Sequence, residues 1–287
     1  MTSDPLVVSR HADVRAVLAD PRFTVAPVPR PPFTLTMAWL RGAVGRFATR
    51  PVHAERRAAG VAVLAGLDPD ALRAEAFRLA AQDTGPPELV PVRVLAVALG
   101  VPAEDGCRAA EAVAALAPAY LPAPNPEPGS GSAPGSEPGP ESRPGEVDTA
   151  AADEALVRLS RLLGDPAPER LAVLAGLLAQ ACGATAGLVR NALAARPVSC
   201  TVDELLAETL RHDPPVRVLR RTVAEEGTDV VLDVAAANRD PAVFADPDRF
   251  RPGRAPEHLT FGAGPRACPG RQVALALAAG VVEAVTR

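Results

Sequence analysis

The sequence predicts a mainly α-helical fold with small β-sheets, and its composition carries the prediction. Apolar residues make up 48% of the 287 residues, enough for a sizeable core, but aromatic residues only 3%. The core must therefore be built from Ala, Leu and Val. Helices suit that inventory better than sheets, which favour aromatic and β-branched residues.

The N-terminal part contains short elements separated by proline. A strand is predicted over residues 6–9 and a short helix over 11–18, closed by Asp20-Pro21. The many prolines of residues 24–36 exclude a regular helix there. Three helices are predicted next, and the second has proline at its first helical position. Their ranges are 52–64, 69–81 and 90–99.

A change of composition divides the chain after residue 120. Residues 121–148 are rich in Pro, Gly, Ser and Glu, with almost no apolar side chain. Such a segment cannot offset the entropy of ordering, so it is predicted to be a disordered linker; the alternative is a mobile substrate flap. The organisation expected is residues 1–120, the linker 121–148, and residues 149–287.

The C-terminal part begins with two helices, predicted over residues 150–163 and 168–195. Thr201-Val202-Asp203-Glu204 is a capping box that opens a further helix, which ends near His212 before Asp213-Pro214-Pro215. Short strands are predicted at 216–222 and 229–233, followed by an irregular, proline-rich stretch over 237–256.

Charge, cysteines and hydropathy exclude several function classes. A net charge of −4 gives no sign of nucleic-acid binding. The four cysteines form no CxxC pair, which argues against a disulfide framework and a zinc site and fits a reducing compartment. No signal segment is visible, and the apolar run 171–186 is interrupted by Gln180. We expect a cytoplasmic protein without membrane or nucleic-acid partners.

The most informative segment is the ten-residue loop Phe261-Gly262-Ala263-Gly264-Pro265-Arg266-Ala267-Cys268-Pro269-Gly270. Its glycines permit backbone conformations closed to other residues. The apolar helix predicted over 273–285 directs its free N–H groups towards Cys268, which favours a thiolate. A thiolate held by amides suits a single axial metal ligand. The alternative is a structural cysteine beside a turn.

The pattern Phe-Gly-x-Gly-x-Arg-x-Cys-x-Gly resembles the haem-ligand loop of the cytochrome P-450 family at all six fixed positions. The resemblance is to soluble bacterial members and extends from Leu6 to Val285. It implies a truncated P-450-like fold, in which 1–120 and 149–287 form one haem domain. It also implies haem b, with Cys268 as the iron ligand and Phe261, Gly262 and Gly270 around the sulfur and porphyrin.

The same resemblance assigns cations to the haem propionates. His53 and Arg57 project from one helical face because they are four residues apart; in isolation they would be a solvated surface. Family members often have His-x-x-x-Arg here, which implies that His53 and Arg57, or its neighbour Arg56, bind the propionates. Arg221 and Arg266 match further propionate positions, where cations meet carboxylates.

A second motif is structural. Glu208 and Arg211 share a helical face, a spacing that alone indicates a common surface ion pair. Because the meander follows, the resemblance implies a buried cluster of Glu208, Arg211 and Arg254 that fixes the cysteine loop.

The sequence departs from the family in two places. Where members carry an acid followed by threonine, this chain has Gly183 and Ala184, so Thr185 is the remaining candidate for a catalytic proton relay. It lies one residue late, a rotation of about 100°, and the alternative is a threonine that bonds its own helix. The chain also stops inside the helix after Cys268, so the pocket is expected to be open or completed by another chain.

The function implied by the resemblance is monooxygenase-like oxidation of a small organic molecule. Electrons would come from a ferredoxin and ferredoxin reductase. A variant uses peroxide or performs oxidative coupling, which needs less of the missing acid and threonine. The alternative is a non-catalytic shortened relative that acts as a partner or scaffold protein.

Overall fold

The computed structural model describes residues 5–82, 85–120, 149–195, 199–254 and 257–287. It is mainly helical, with one small sheet. The helices are α1 (His11–Ala19), α2 (Met37–Ala43), α3 (Val52–Ala65), α4 (Pro69–Gln82), α5 (Val90–Ala98), α6 (Gly106–Tyr120), α7 (Thr149–Leu162), α8 (Pro168–Ala194), α9 (Val202–His212), α10 (Val234–Ala237) and α11 (Arg271–Thr286). The strands are β1 (Leu6–Val8), β2 (Phe23–Thr24), β3 (Val218–Val223) and β4 (Asp229–Asp233).

Most of the helices predicted from the sequence are confirmed within two residues at each end. The capping box is present as expected: the Thr201 hydroxyl accepts from the Glu204 N–H, and the Glu204 carboxylate accepts from the Thr201 N–H. Three helices, α2, α6 and the one-turn α10, were not predicted. Pro118 lies inside α6, although the buried Ala109, Val113 and Leu116 follow helical spacing. The predicted linker lies outside the described residues.

The sheet brings the two ends of the chain together. Its strand order is β1-β4-β3-β2, with β1 parallel to β4 and the other neighbours antiparallel. Leu6 pairs with Val230, and Phe23 pairs with Val223. One face packs on α1 through the buried side chains of Val14 and Leu18. The sheet therefore fixes the position of Arg221 in β3.

Helix α8 runs through the main core, which is built largely from Ala, Leu and Val. It is the one described helix long and apolar enough to cross a membrane by length and composition, with a mean hydropathy of 1.8 over its best 18-residue window. Contrary to what the sequence suggested, Gln180 does not interrupt this long apolar helix. Of that window, 67% is buried inside the fold, as in the core helix of a globular domain.

Helix α11 follows the cysteine loop and packs closely against α4. A Cβ at Gly280 would collide with the carbonyl oxygen of Arg73 and lie 2.9 Å from the Ala76 Cβ. Only glycine permits this approach of the two helices. The close contact anchors the C-terminal side of the cysteine loop to the helical core.

Candidate functional site

The cysteine loop is closed by its own backbone. The Cys268 N–H donates to the Phe261 carbonyl at 2.8 Å, and the Gly262 N–H donates to the Leu259 carbonyl at 2.8 Å. Gly262 and Gly264 have φ values of 70° and 64°, which favour glycine. A Cβ at Gly264 would lie 2.6 Å from the Leu18 carbonyl oxygen, so the loop is pressed against α1. These constraints fix the position of Cys268.

The Cys268 thiol is exposed although protein atoms surround it on several sides. Burial raises the pKa of this thiol above its ordinary value, while the Gly270 N–H and Arg57 act in the opposite direction. The expected contribution from the start of the following helix is present, since Gly270 is its N-cap, but burial outweighs it and the net pKa is raised. The helix begins only at Arg271, and the loss of hydration outweighs its field.

Helix α8 has an opening in its packing near its middle. Gly183 is exposed, and a Cβ placed on it would meet no atom within 4 Å. Ala184 beside it is half-buried. An exposed glycine in a helix that is otherwise mostly buried marks a space that the protein does not fill.

Thr185 does not share this opening. It is 4% exposed, and helical geometry turns it by about 100° from Ala184. Thr185 is therefore buried where Gly183 is exposed, and its role as a proton relay stays a prediction. The displacement of the threonine by one residue, from position 184 to Thr185, thus places it on a different side of the helix.

A cavity of about 560 Å³ is lined by four side chains that can carry positive charge: Arg50, His53, Arg221 and Arg266. Among the residues described, none of these arginines forms an ion pair with a carboxylate. Asp20 also lines the cavity, but it pairs with Arg22 at 2.6 Å. The cavity is therefore strongly positive and has no internal counter-charge.

Backbone contacts position these cations. Arg266 Nη2 donates to the Ala48 carbonyl at 2.6 Å, and Arg221 Nη1 donates to the Arg220 carbonyl at 2.8 Å. Arg57 lies in an adjoining groove with His53 and donates from Nη2 to the Ala267 carbonyl at 2.8 Å. Arg57 thus ties α3 directly to the cysteine loop.

The fold separates Arg56 from Arg57. Arg56 Nη1 donates to the carbonyls of Gly42 and Val44 at 2.7 and 3.1 Å. It is therefore engaged with the end of α2, away from the cysteine loop. Of the two neighbouring arginines, only Arg57 lies beside the loop.

The pKa values of the cavity residues show how much the site favours an anion. Burial lowers the pKa of Arg221 to about 10, and Arg266 and Arg46 add to the shift. Burial lowers the pKa of His53 to about 4, assisted by Arg266 and Arg57. Protonating either group is unfavourable because it adds a positive charge to a site where the existing positive charges have no anionic partner. A bound dianion would relieve this repulsion.

His53 makes the stability of the apoprotein depend on pH. Its folded pKa of about 4 is below the ordinary histidine value of 6.5, so the unfolded chain binds more protons between these values. The free energy of unfolding is expected to fall as the pH is lowered from 6.5 to 4. His53→Gln should reduce this slope in urea unfolding followed at several pH values. His258, whose pKa burial also lowers to about 4, leaves a residual slope. An unchanged slope would contradict the expectation.

The structure brings Glu208, Arg211 and Arg254 together in one cluster. Arg211 makes a two-pronged contact with Glu208, with Nη2–Oε1 at 2.7 Å and Nε–Oε2 at 2.8 Å. The two side chains are 2% and 1% exposed. Arg254 Nε lies 3.5 Å from Glu208 Oε1, an ion-pair distance without a hydrogen bond.

Carbonyl groups of the meander complete this cluster. Arg211 Nη1 donates to the carbonyls of Asn238 and Pro247 at 3.0 and 2.8 Å, and Arg254 donates to those of Ala245 and Asp246. The irregular meander is thus held by side-chain donors rather than by regular secondary structure.

Two cations near the site, Arg46 and Arg50, were missed from the sequence. Their charges act on the pKa values of Arg221 and of His53 and Arg266, respectively. The sequence signal that could have revealed them is the clustering of arginines, because residues 41–57 contain five arginines and a single acid, Glu55.

A family model described as Cytochrome P450 matches residues 201–278, from the capping box of α9 into α11. The DesVIII protein of Streptomyces venezuelae is 38% identical over 136 residues, which cover 40% of this chain and 34% of that protein. Cytochrome P450 119 of Sulfurisphaera tokodaii is 45% identical over 78 residues, 23% of this chain and 21% of the relative. The matched segment therefore spans only a fifth to a third of the length of these relatives.

Solved structures extend the likeness to the whole fold. Epothilone B-bound cytochrome P450epoK superposes with a TM-score of 0.76 at 20% identity, covering 98% of this chain and 83% of that one. CalO2 superposes with a TM-score of 0.73 at 21% identity, covering 99% and 85%. Residues 201–278 thus match the cytochrome P450 family model, and nearly the whole chain has the fold of solved cytochrome P450 structures.

Proposed function

We propose that the protein is a haem-thiolate oxidoreductase that oxidises a small organic molecule, with Cys268 as the axial ligand of haem b iron. The observation that carries this proposal is an accessible cysteine, fixed by a closed loop, beside a cavity whose arginines have no counter-charge. Members of the family use haem iron, and haem supplies both the metal for the thiolate and two propionates for the cations.

The residues present fit such a group. Arg221, Arg266 and Arg57 would hold the propionates through charge-assisted hydrogen bonds, with His53 as a neutral partner at their centre. The Gly270 N–H, which already acts on the Cys268 sulfur, would stabilise its negative charge. Phe261, with the Arg271 guanidinium 5.4 Å from its ring centroid, would shield the sulfur from water. When bound, the haem supplies the oxidising chemistry, with the thiolate donating electron density.

Helix α8 offers no side-chain proton carrier at its opening. Gly183 and Ala184 have neither a carboxyl nor a hydroxyl group, and Thr185 is buried. The open space at Gly183 leaves room for water to carry protons instead. This arrangement favours reactions that need little side-chain proton delivery, such as peroxide-driven oxidation or oxidative coupling. Electrons for an oxygen-dependent reaction would come from a ferredoxin and ferredoxin reductase in the cytoplasm.

The carbon monoxide difference spectrum of the reduced, haem-reconstituted chain tests the proposal. We expect a strongly red-shifted Soret band because Cys268 would ligate the iron as a thiolate. Cys268→Ala should abolish this band, whereas Cys107→Ala, which changes an exposed cysteine on α6, should retain it. No haem uptake, or a band of the histidine-ligated type, would contradict the proposal and favour the non-catalytic scaffold.

A further inference from the structure

Arg46 is a cation near the site that lines neither the 560 Å³ cavity nor the adjoining groove. It lies in a single 3₁₀ turn, Gly45–Phe47, between α2 and α3. Arg46 is exposed, and within the described ranges no carboxylate pairs with it and no hydrogen bond engages its guanidinium. The guanidinium of Arg46 is therefore free to bind a ligand.

The chain on either side of Arg46 connects α8 to the cysteine loop. Val44 packs on α8 so closely that a Cβ at Gly176 would lie 2.7 Å from its Cγ1. The Ala48 carbonyl accepts the hydrogen bond from Arg266. Arg46 is thus held between the helix that carries the Gly183 opening and the loop that carries Cys268. Its charge acts at Cys268 and at Arg221.

Two buried donors without partners lie beside this turn. The Tyr120 hydroxyl and Arg41 Nε are buried, and neither has a hydrogen-bond partner in the described part of the chain. Phe47 links them, with its ring centroid 5.5 Å from that of Tyr120 and 5.1 Å from the Arg41 guanidinium carbon. Buried polar atoms without partners are rare in native proteins. Near Arg46 the described residues therefore include a second positive charge, Arg41, and the unsatisfied phenol of Tyr120.

We propose that Arg46 binds the carboxylate of an amphipathic organic-acid substrate, with Arg41 and Tyr120 providing a positive, polar backing. This inference rests on the proposed haem-thiolate function and names the substrate class for it. Arg50, Arg57, Arg221 and Arg266, which line the cavity and the groove, would suffice for the two haem propionates and would leave Arg46 free for a substrate. The apolar part of the substrate would lie along Phe47, which is half-buried, and the open face of α8.

The test compares acids with their uncharged analogues on the full, haem-loaded chain. The probes are 3-phenylpropanoate, octanoate and dodecanoate, each paired with its primary amide, and dissociation constants are measured by isothermal titration calorimetry. At least one acid is expected to bind about tenfold more tightly than its amide, because a charge-assisted hydrogen bond forms only with the carboxylate. Arg46→Gln should remove this preference, and Arg46→Lys should restore part of it.

The matched control is Arg217→Gln, which removes an exposed arginine paired with Asp213 on the protein surface. It should leave the preference for the acid unchanged. The inference is overturned if no acid is preferred over its amide, or if Arg46→Gln retains the preference. The carbon monoxide spectrum is recorded first on each sample. Absence of the thiolate band would contradict the proposed function. Presence of the band without a preference for the acid would contradict only this inference.

Discussion

Glu208→Gln is expected to lower the free energy of unfolding by about 3–5 kcal/mol, because it leaves Arg211 buried without its counter-charge. Glu208 Oε1 also accepts the Arg251 N–H at 2.7 Å, so one carboxylate holds both the helix arginine and the meander backbone. The amide of glutamine cannot accept at both positions of the Arg211 fork. Chemical denaturation by urea measures the loss.

Glu75→Gln is the matched control for this variant. Glu75 pairs with Arg78 at 2.6 Å with the same i,i+3 spacing, but the two side chains are 44% and 52% exposed. An exposed helix pair contributes about 0.3–0.5 kcal/mol. The meander precedes the cysteine loop, so Glu208→Gln should also weaken haem retention. A loss of stability no larger than that of Glu75→Gln would show that the buried cluster does not organise the meander.

Arg221→Gln is expected to change stability and haem binding in opposite directions. Arg221 is 8% exposed, has no carboxylate partner in the described ranges, and has a pKa lowered to about 10. Removing an unpaired buried charge should stabilise the apoprotein by about 1–3 kcal/mol. Losing a propionate ligand should weaken haem binding by about tenfold or more. Urea unfolding of the apoprotein and haem transfer to a competing apoprotein measure the two effects.

Arg220→Gln provides the control for Arg221. The two residues are adjacent in β3, so their side chains lie on opposite faces of the sheet, and Arg220 is exposed. Its replacement should change stability by less than about 0.5 kcal/mol. If Arg221→Gln destabilises the apoprotein, the cavity supplies a counter-charge that the geometry does not show, and the proposed propionate site is in doubt.

Local patterns in the sequence determined much of the fold. Proline at the start of α4 and α8, and the capping box of α9, placed helix ends within two residues, because these signals act over a single turn. The helix α6 was missed because its core pattern is Ala-rich and Pro118 interrupts it. The cysteine loop was visible because two of its three glycines, Gly262 and Gly264, are dictated by local backbone geometry, as their positive φ values show.

Tertiary structure decided which of several similar side chains reach the site. Arg56 and Arg57 are indistinguishable by type, yet one contacts the end of α2 and the other the cysteine loop. The pKa of Cys268 is raised rather than lowered, because burial depends on distant elements that no local motif encodes. The sequence by itself thus determined the family-like loop and most helices. Packing decided which arginines come together around the anion-binding cavity. These arginines are far apart in the sequence, and their charges interact through space.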